Sequence, residues 1–117
     1  MIEQAKLICE KTVNILLDKK AQDVTLVDIS SMTVIADAFV VCTGRTTIQV
    51  RALCDELEER LAAEGITVVR KEGFGAARWI VMDLSSVLVH IFYKDDRAFY
   101  NLEHLWNNGS NITKYDE

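Results

Sequence analysis

The chain has 117 residues, 50% of them hydrophobic and 26% charged, which is one domain's worth with enough apolar material for a real core and excludes a disordered or low-complexity protein. Its 18 acidic against 13 basic side chains suit it poorly to direct nucleic-acid binding, because phosphate affinity comes from Lys and Arg displacing counterions; a basic protein is the better-matched partner. No apolar run approaches the ~20 residues that span a bilayer, and the charged start MIEQAKLICEKTVN is no export signal, so the expected setting is the cytoplasm, away from membranes.

Residues 2–20 place Ala5, Ile8, Cys9, Thr12, Ile15 and Leu16 at helical spacing, with lysines among the polar positions, and predict an amphipathic helix. Residues 24–29 and 39–43 read as short buried strands joined through residues 30–33. Thr46 followed by Gln49 makes a capping box that opens a helix through Glu64, with an apolar stripe of Val50, Leu53, Cys54, Leu57 and Leu61. Gly65 ends it. Its outward face, rich in Asp and Glu, reads as solvated. Residues 66–70 form a third strand, and a strand-helix-strand connection of this length favours parallel pairing with a right-handed crossover.

Residues 79–84 and 87–93 are β-branched and aromatic runs separated by Ser85 and Ser86, which predicts a tight antiparallel hairpin. A two-residue turn sets Trp79, Val81 and Asp83 on one face opposite Phe92, His90 and Leu88. It places Ile80, Met82, Leu84, Val87, Val89 and Ile91 on the other. The second set is wholly apolar and is the expected core side. The first mixes Trp, carboxylate and imidazole among apolar neighbours and suits a partner. Asp95 or Asp96 is placed to cap a last helix in which Phe99, Leu102, Leu105 and Trp106 fall on one side and Tyr100, Glu103 and His104 nearer its rim. Residues 1–106 are the expected domain and residues 107–117 a polar tail expected to fray. The reading is a single compact α/β domain with a mixed five-strand sheet and flanking helices.

Chemical signals are sparse. Asp83, His90 and the Ser85-Ser86 turn are the nearest thing to a catalytic cluster, but the serines lack a nucleophile elbow and an oxyanion-hole glycine pattern. Thr43-Gly44-Arg45-Thr46-Thr47 closes a strand and opens a helix, a place that favours an anion. It carries no phosphate-loop motif, and Gly73-Phe74-Gly75 lacks a third glycine. Cys9, Cys42 and Cys54 are far apart at apolar positions, without C-x-x-C spacing, and read as buried free thiols in a reducing compartment. No catalytic residue, metal ligand or cofactor is assigned.

The pattern W-[IV]-V-x-D-x-x-x-V-[LIV]-V-H-[IV]-F, carried by Trp79, Val81, Asp83, Val87, Val89, His90 and Phe92, continues into Arg97, Phe99, Tyr100, Leu102, Glu103, Leu105 and Trp106. Together with Asp28, Ile35-Ala36-Asp37, Phe39-Val40, Thr43-Gly44, Gln49-Val50 and Glu72-Gly73, it resembles the ribosomal silencing factor S family, also called Iojap, over nearly all of residues 5–106. The resemblance implies a nucleotidyltransferase-like fold without the enzymes' magnesium carboxylates, since Gly44 is followed by Arg45 and no Asp-x-Asp or Asp-x-Glu follows. It implies a translational repressor that binds the large ribosomal subunit through its protein L fourteen, blocks joining of the small subunit when nutrients are scarce, and pairs as a homodimer when free. The expected partner face is Trp79, Val81, Asp83, Leu88, His90 and Phe92, extended by Tyr100 and Glu103. The rival reading is a nucleotide-binding or nucleotidyl-transferring enzyme that kept its fold's activity.

Overall fold

The computed structural model describes residues 1–115. The first amphipathic stretch is α1 (Glu3–Asp18), and its expected stripe is buried, joined by Val13. The chain turns at Lys20 into β1 (Gln22–Asp28), crosses a loop that the Ile29 N–H closes onto the Asp37 carbonyl at 3.0 Å, and returns antiparallel as β2 (Ala38–Gly44). Every residue of β2 is buried, the pattern of a central strand covered on both faces.

α2 (Thr47–Ala63) starts where the capping box placed it: the Thr46 hydroxyl accepts the Gln49 N–H at 3.0 Å. The Gln49 side-chain oxygen takes the N–H of Arg45 at 2.7 Å, one residue outside the usual partner. At its end, the N–H groups of Gly65 and Ile66 bond to the carbonyls of Ala62 and Leu61, a Schellman motif in which Gly65 adopts a φ of 79°.

The expected third strand is shifted and shortened to β3 (Arg70–Glu72), which pairs antiparallel with β4 (Trp79–Asp83). β4 pairs antiparallel with β5 (Val87–Tyr93), and β5 is the parallel neighbour of β2, from Ala38 opposite Val87 to Gly44 opposite Tyr93. β3 thus runs in the direction that the crossover argument requires, but two strands stand between it and β2. The long apolar hairpin takes the sheet's centre, and the exposed Arg-Lys-Glu of β3 suits an edge.

Among the described residues the sheet has six strands in the order β3-β4-β5-β2-β1-β6, one more than expected. The added strand is β6 (Ile112–Lys114), in the segment expected to fray; it pairs antiparallel with β1. The Asn111 side chain secures it, donating to the carbonyls of Asp28 at 2.9 Å and Trp106 at 2.8 Å. The last residues of that expected tail, 116 and 117, lie outside the described residues.

The single last helix is also corrected. α3 (Lys94–Tyr100) follows β5 directly with no side-chain cap, and Asp95 and Asp96 lie within its first turn, where the helix dipole favours carboxylates. Asn101 then takes the left-handed conformation, φ 45° and ψ 51°, and α4 (Leu102–Leu105) starts in a new direction. The break turns Leu102 and Trp106 to the sheet and leaves Phe99 and Leu105 exposed, so the four do not share one packed side.

The helices α1 and α2 cover the sheet face that carries Ile80, Met82, Leu84, Val87, Val89 and Ile91, the set expected to be core, with the free thiols Cys9, Cys42 and Cys54 among them. A smaller cluster on the opposite face joins Val27, Ile29, Phe39, Val41 and Phe92 beneath Leu102 and Trp106. Among the described residues no helix is long and apolar enough to cross a membrane.

Candidate functional site

The hairpin turn decides which side chains share the second face. Leu84 N–H bonds to the Val87 carbonyl at 2.9 Å, so Ser85 and Ser86 alone form the loop, with Ser85 at a φ of 77°. The register is therefore the expected one: Trp79 opposite Phe92, Val81 opposite His90, Asp83 opposite Leu88. Asp83 is consumed locally. Its Oδ1 accepts the Ser85 N–H at 2.7 Å, and Arg70 of β3 reaches its carboxylate at 3.8 Å. His90 bonds instead to Trp79, so the considered Asp–His–Ser grouping does not assemble.

Trp79 stands at the centre of an aromatic array. Its Nε1–H donates to His90 Nδ1 at 3.0 Å. Its ring stacks on Phe92 with centroids 4.9 Å apart and planes at 26°, and Tyr100 lies 4.7 Å away on α3. Behind His90, Phe39 meets the imidazole edge-on at 4.7 Å and contacts Trp106 at 5.3 Å. Because Nδ1 accepts, the imidazole is neutral with its proton on Nε2. Burial drives the His90 pKa down to about 4, opposed by the negative charge of Glu103.

The eight predicted residues separate by depth. Trp79, Val81, Asp83 and Leu88 are half-buried at the surface and Tyr100 is exposed, whereas His90 (5% exposed) and Phe92 (0%) lie beneath them as backing. Glu103 is committed to Arg97. That guanidinium makes four hydrogen bonds: its Nε–H donates to Glu103 Oε2 at 2.7 Å, and its terminal nitrogens donate to the Asp23 carbonyl at 3.0 Å and to the hydroxyls of Thr43 and Thr25 at 2.9 and 3.1 Å, while Nη2 also lies 2.6 Å from the same Glu103 oxygen as an ion pair. A second pair, Arg78 with Asp96 at 2.8 Å, ties the start of β4 to α3. Arg97 carried no role in the sequence reading. Its signal was available, since an arginine between two aromatic-rich turns with a glutamate six residues on is a cross-element pair in waiting.

Gly73 was likewise passed over as part of an incomplete glycine motif. It has a φ of 86°, and a Cβ there would lie 2.1 Å from the Trp79 carbonyl oxygen. The loop it opens is held by Arg51, whose guanidinium donates to the carbonyls of Phe74 and Gly75. At the Thr43–Thr47 turn, the amides of Arg45, Gln49 and Val50 are already bonded to Gln49 and Thr46, so these N–H groups are spent inside the chain.

The helices α3 and α4 thus roof the β5-β2-β1 side of this face, and the strip from Leu88 across Val81 to Trp79 is left half-open. The exposed Tyr100, against Trp79, and Phe99, edge-on to Tyr100 at 5.0 Å, continue it. The strip is apolar and centred on a pinned indole, with the Asp83 carboxylate at one end and the Tyr100 phenol at the other.

The family described as "RsfS: Ribosomal silencing factor during starvation" matches residues 2–117. A protein from Halalkalibacterium halodurans named "Ribosomal silencing factor RsfS" is 40% identical over 105 residues, covering 90% of each chain. A solved structure of a Chromobacterium violaceum protein superimposes with a TM-score of 0.84 at 30% identity, covering 86% of this chain and 84% of that one. A more distant mouse relative, 26% identical over 87% of this chain and 46% of its own length, is named "Mitochondrial assembly of ribosomal large subunit protein 1".

Proposed function

This chain belongs to the ribosomal silencing factor family, and from that premise we propose that it binds the large ribosomal subunit through ribosomal protein L fourteen and blocks joining of the small subunit by occupying the space between them. Repression is steric: a subunit carrying the factor is withdrawn from the association equilibrium in proportion to free factor over its dissociation constant. The residues that meet the partner are Trp79, Val81, Asp83, Leu88 and Tyr100. His90 and Phe92 support them from beneath, and Glu103 acts through Arg97.

The observation that supports this reading most is the half-open strip around Trp79, whose indole is fixed by a hydrogen bond and a stack while one side stays accessible. The mouse relative's name points to the large subunit. The net charge of −5 fits a basic protein surface. The working state is a protein of the cytoplasm that pairs with itself when free and performs no chemistry.

Density-gradient sedimentation with separated subunits tests the proposal. The protein is expected with large subunits and absent from small subunits and joined ribosomes, and adding it before mixing lowers the yield of joined particles more than adding it afterwards. Equal recovery with small subunits rejects the reading.

A further inference from the structure

A buried imidazole is a costly way to fill the space under Trp79. His90 is 5% exposed, and its Nε2 has no hydrogen-bond partner among the described residues. An unpaired donor in that position costs stability that a leucine of similar bulk would not. What the imidazole adds is an acceptor: Nδ1 faces the Trp79 Nε1–H at 3.0 Å from the diagonal position on β5, two residues before Trp79's direct strand partner Phe92. Phe39 fixes the imidazole from the side, edge-on at 4.7 Å, and Phe92 stacks under the indole.

We propose that His90 is a positioning residue of the docking surface: its Nδ1 holds the Trp79 indole in one rotamer, so that the side chain meeting the partner is presented already ordered. The inference rests on the reading that docking goes through Trp79. An indole held only by stacking could slide or turn, because the face of Phe92 has no directional preference within its plane. The N–H···N bond supplies that direction. Ordering a side chain before contact removes its entropy loss from the binding step, which is worth roughly threefold to tenfold in affinity.

The test uses the full chain and purified large subunits, with the indole N–H resonance of Trp79 as a second readout. His90→Leu keeps the volume and removes the acceptor; the expected result is a displaced indole resonance and a threefold to tenfold loss of subunit affinity. His90→Asn returns an acceptor near the Nδ1 position and is expected to recover most of both. Equal losses for the two variants, or unchanged affinity in His90→Leu, overturn the proposal. Should His90→Leu fail to fold, the unmodified protein decides: a scalar coupling between the Trp79 Nε1 and His90 Nδ1 nitrogens is expected, and its absence overturns the assignment. Trp79→Ala separates the two levels. If it binds like the unmodified chain, the docking reading fails and takes this role with it; if it abolishes binding while His90→Leu does not weaken it, only the positioning role fails.

Discussion

Gly73 lies so close to the main-chain carbonyl of Trp79 that a Cβ would meet the oxygen at 2.1 Å, and its φ of 86° is one that other residues adopt only under strain. The loop before the hairpin is thereby pressed against Trp79, the first residue of the half-open strip. Gly73→Ala is expected to cost about 3 kcal/mol, combining backbone strain with displacement of β4. Gly75→Ala, in open space, is expected to change stability by no more than about 0.5 kcal/mol. Denaturant titration of both variants measures the difference.

Arg97 joins α3 to β1, β2 and α4 through one side chain. Arg97→Ala leaves the Glu103 carboxylate and two buried hydroxyls without their donor, and the expected loss is about 3–5 kcal/mol. Arg97→Lys recovers little of it, because an ammonium cannot reproduce the planar fork. Thermal melts of the two variants, with amide exchange at Tyr100, report whether the roof detaches.

His90 titrates at about 4 in the folded chain, below its ordinary value of about 6.5, because burial disfavours the charged form. Between those pH values the unfolded chain binds the proton and the folded chain does not. The stability that His90 contributes is therefore complete above pH about 6.5 and is lost as pH falls toward 4, with a slope of up to about 1.4 kcal/mol per pH unit. Unfolding measured from pH 7.5 to 4.5 is expected to show this slope, and His90→Leu to flatten it.

Burial pushes the thiols of Cys9 and Cys42 up to about 12 and that of Cys54 up to about 11. At pH 8 almost no thiolate forms, so iodoacetamide is expected to leave all three cysteines unmodified in the folded chain and to label them all in denaturant. Rapid native labelling of any one of them, read by mass, contradicts the burial.

The two faces of the hairpin are expected to separate binding from stability. Met82 is fully buried against α2, and Met82→Ala is expected to cost ~2–5 kcal/mol in stability with little change in the affinity of the folded fraction. Trp79→Ala, at a half-exposed position, is expected to cost about 2 kcal/mol or more in large-subunit binding and less in stability. Melting and sedimentation on the same pair of variants measure both.

The hairpin faces were legible in the residues because a two-residue turn leaves one register, and Ser85-Ser86 permits it. The Thr46 cap and Gly65 stop were legible for the same reason: each is local chemistry within a few residues. What was hidden depends on partners distant in sequence. Nothing near His90 says that Phe39 packs against it, and nothing in Ile112-Thr113-Lys114 says that β1 offers a free edge. The break at Asn101 was open to notice, since asparagine tolerates left-handed backbone, but the apolar spacing from Phe99 to Trp106 argued more strongly for one continuous helix.

The parallel pairing of β2 with β5 sets an order on how this chain comes into being. β2 is made early and finds β1 on one side at once, but its other neighbour emerges only after α2, β3 and β4. Until Tyr93 has been synthesised, α1 and α2 have only part of a floor to rest on, and a strand of wholly buried residues presents a bare backbone edge. Joining β2 to β5 closes a long loop, the kind of long-range contact that slows folding. A chain truncated before Tyr93 carries an apolar template for its own aggregation.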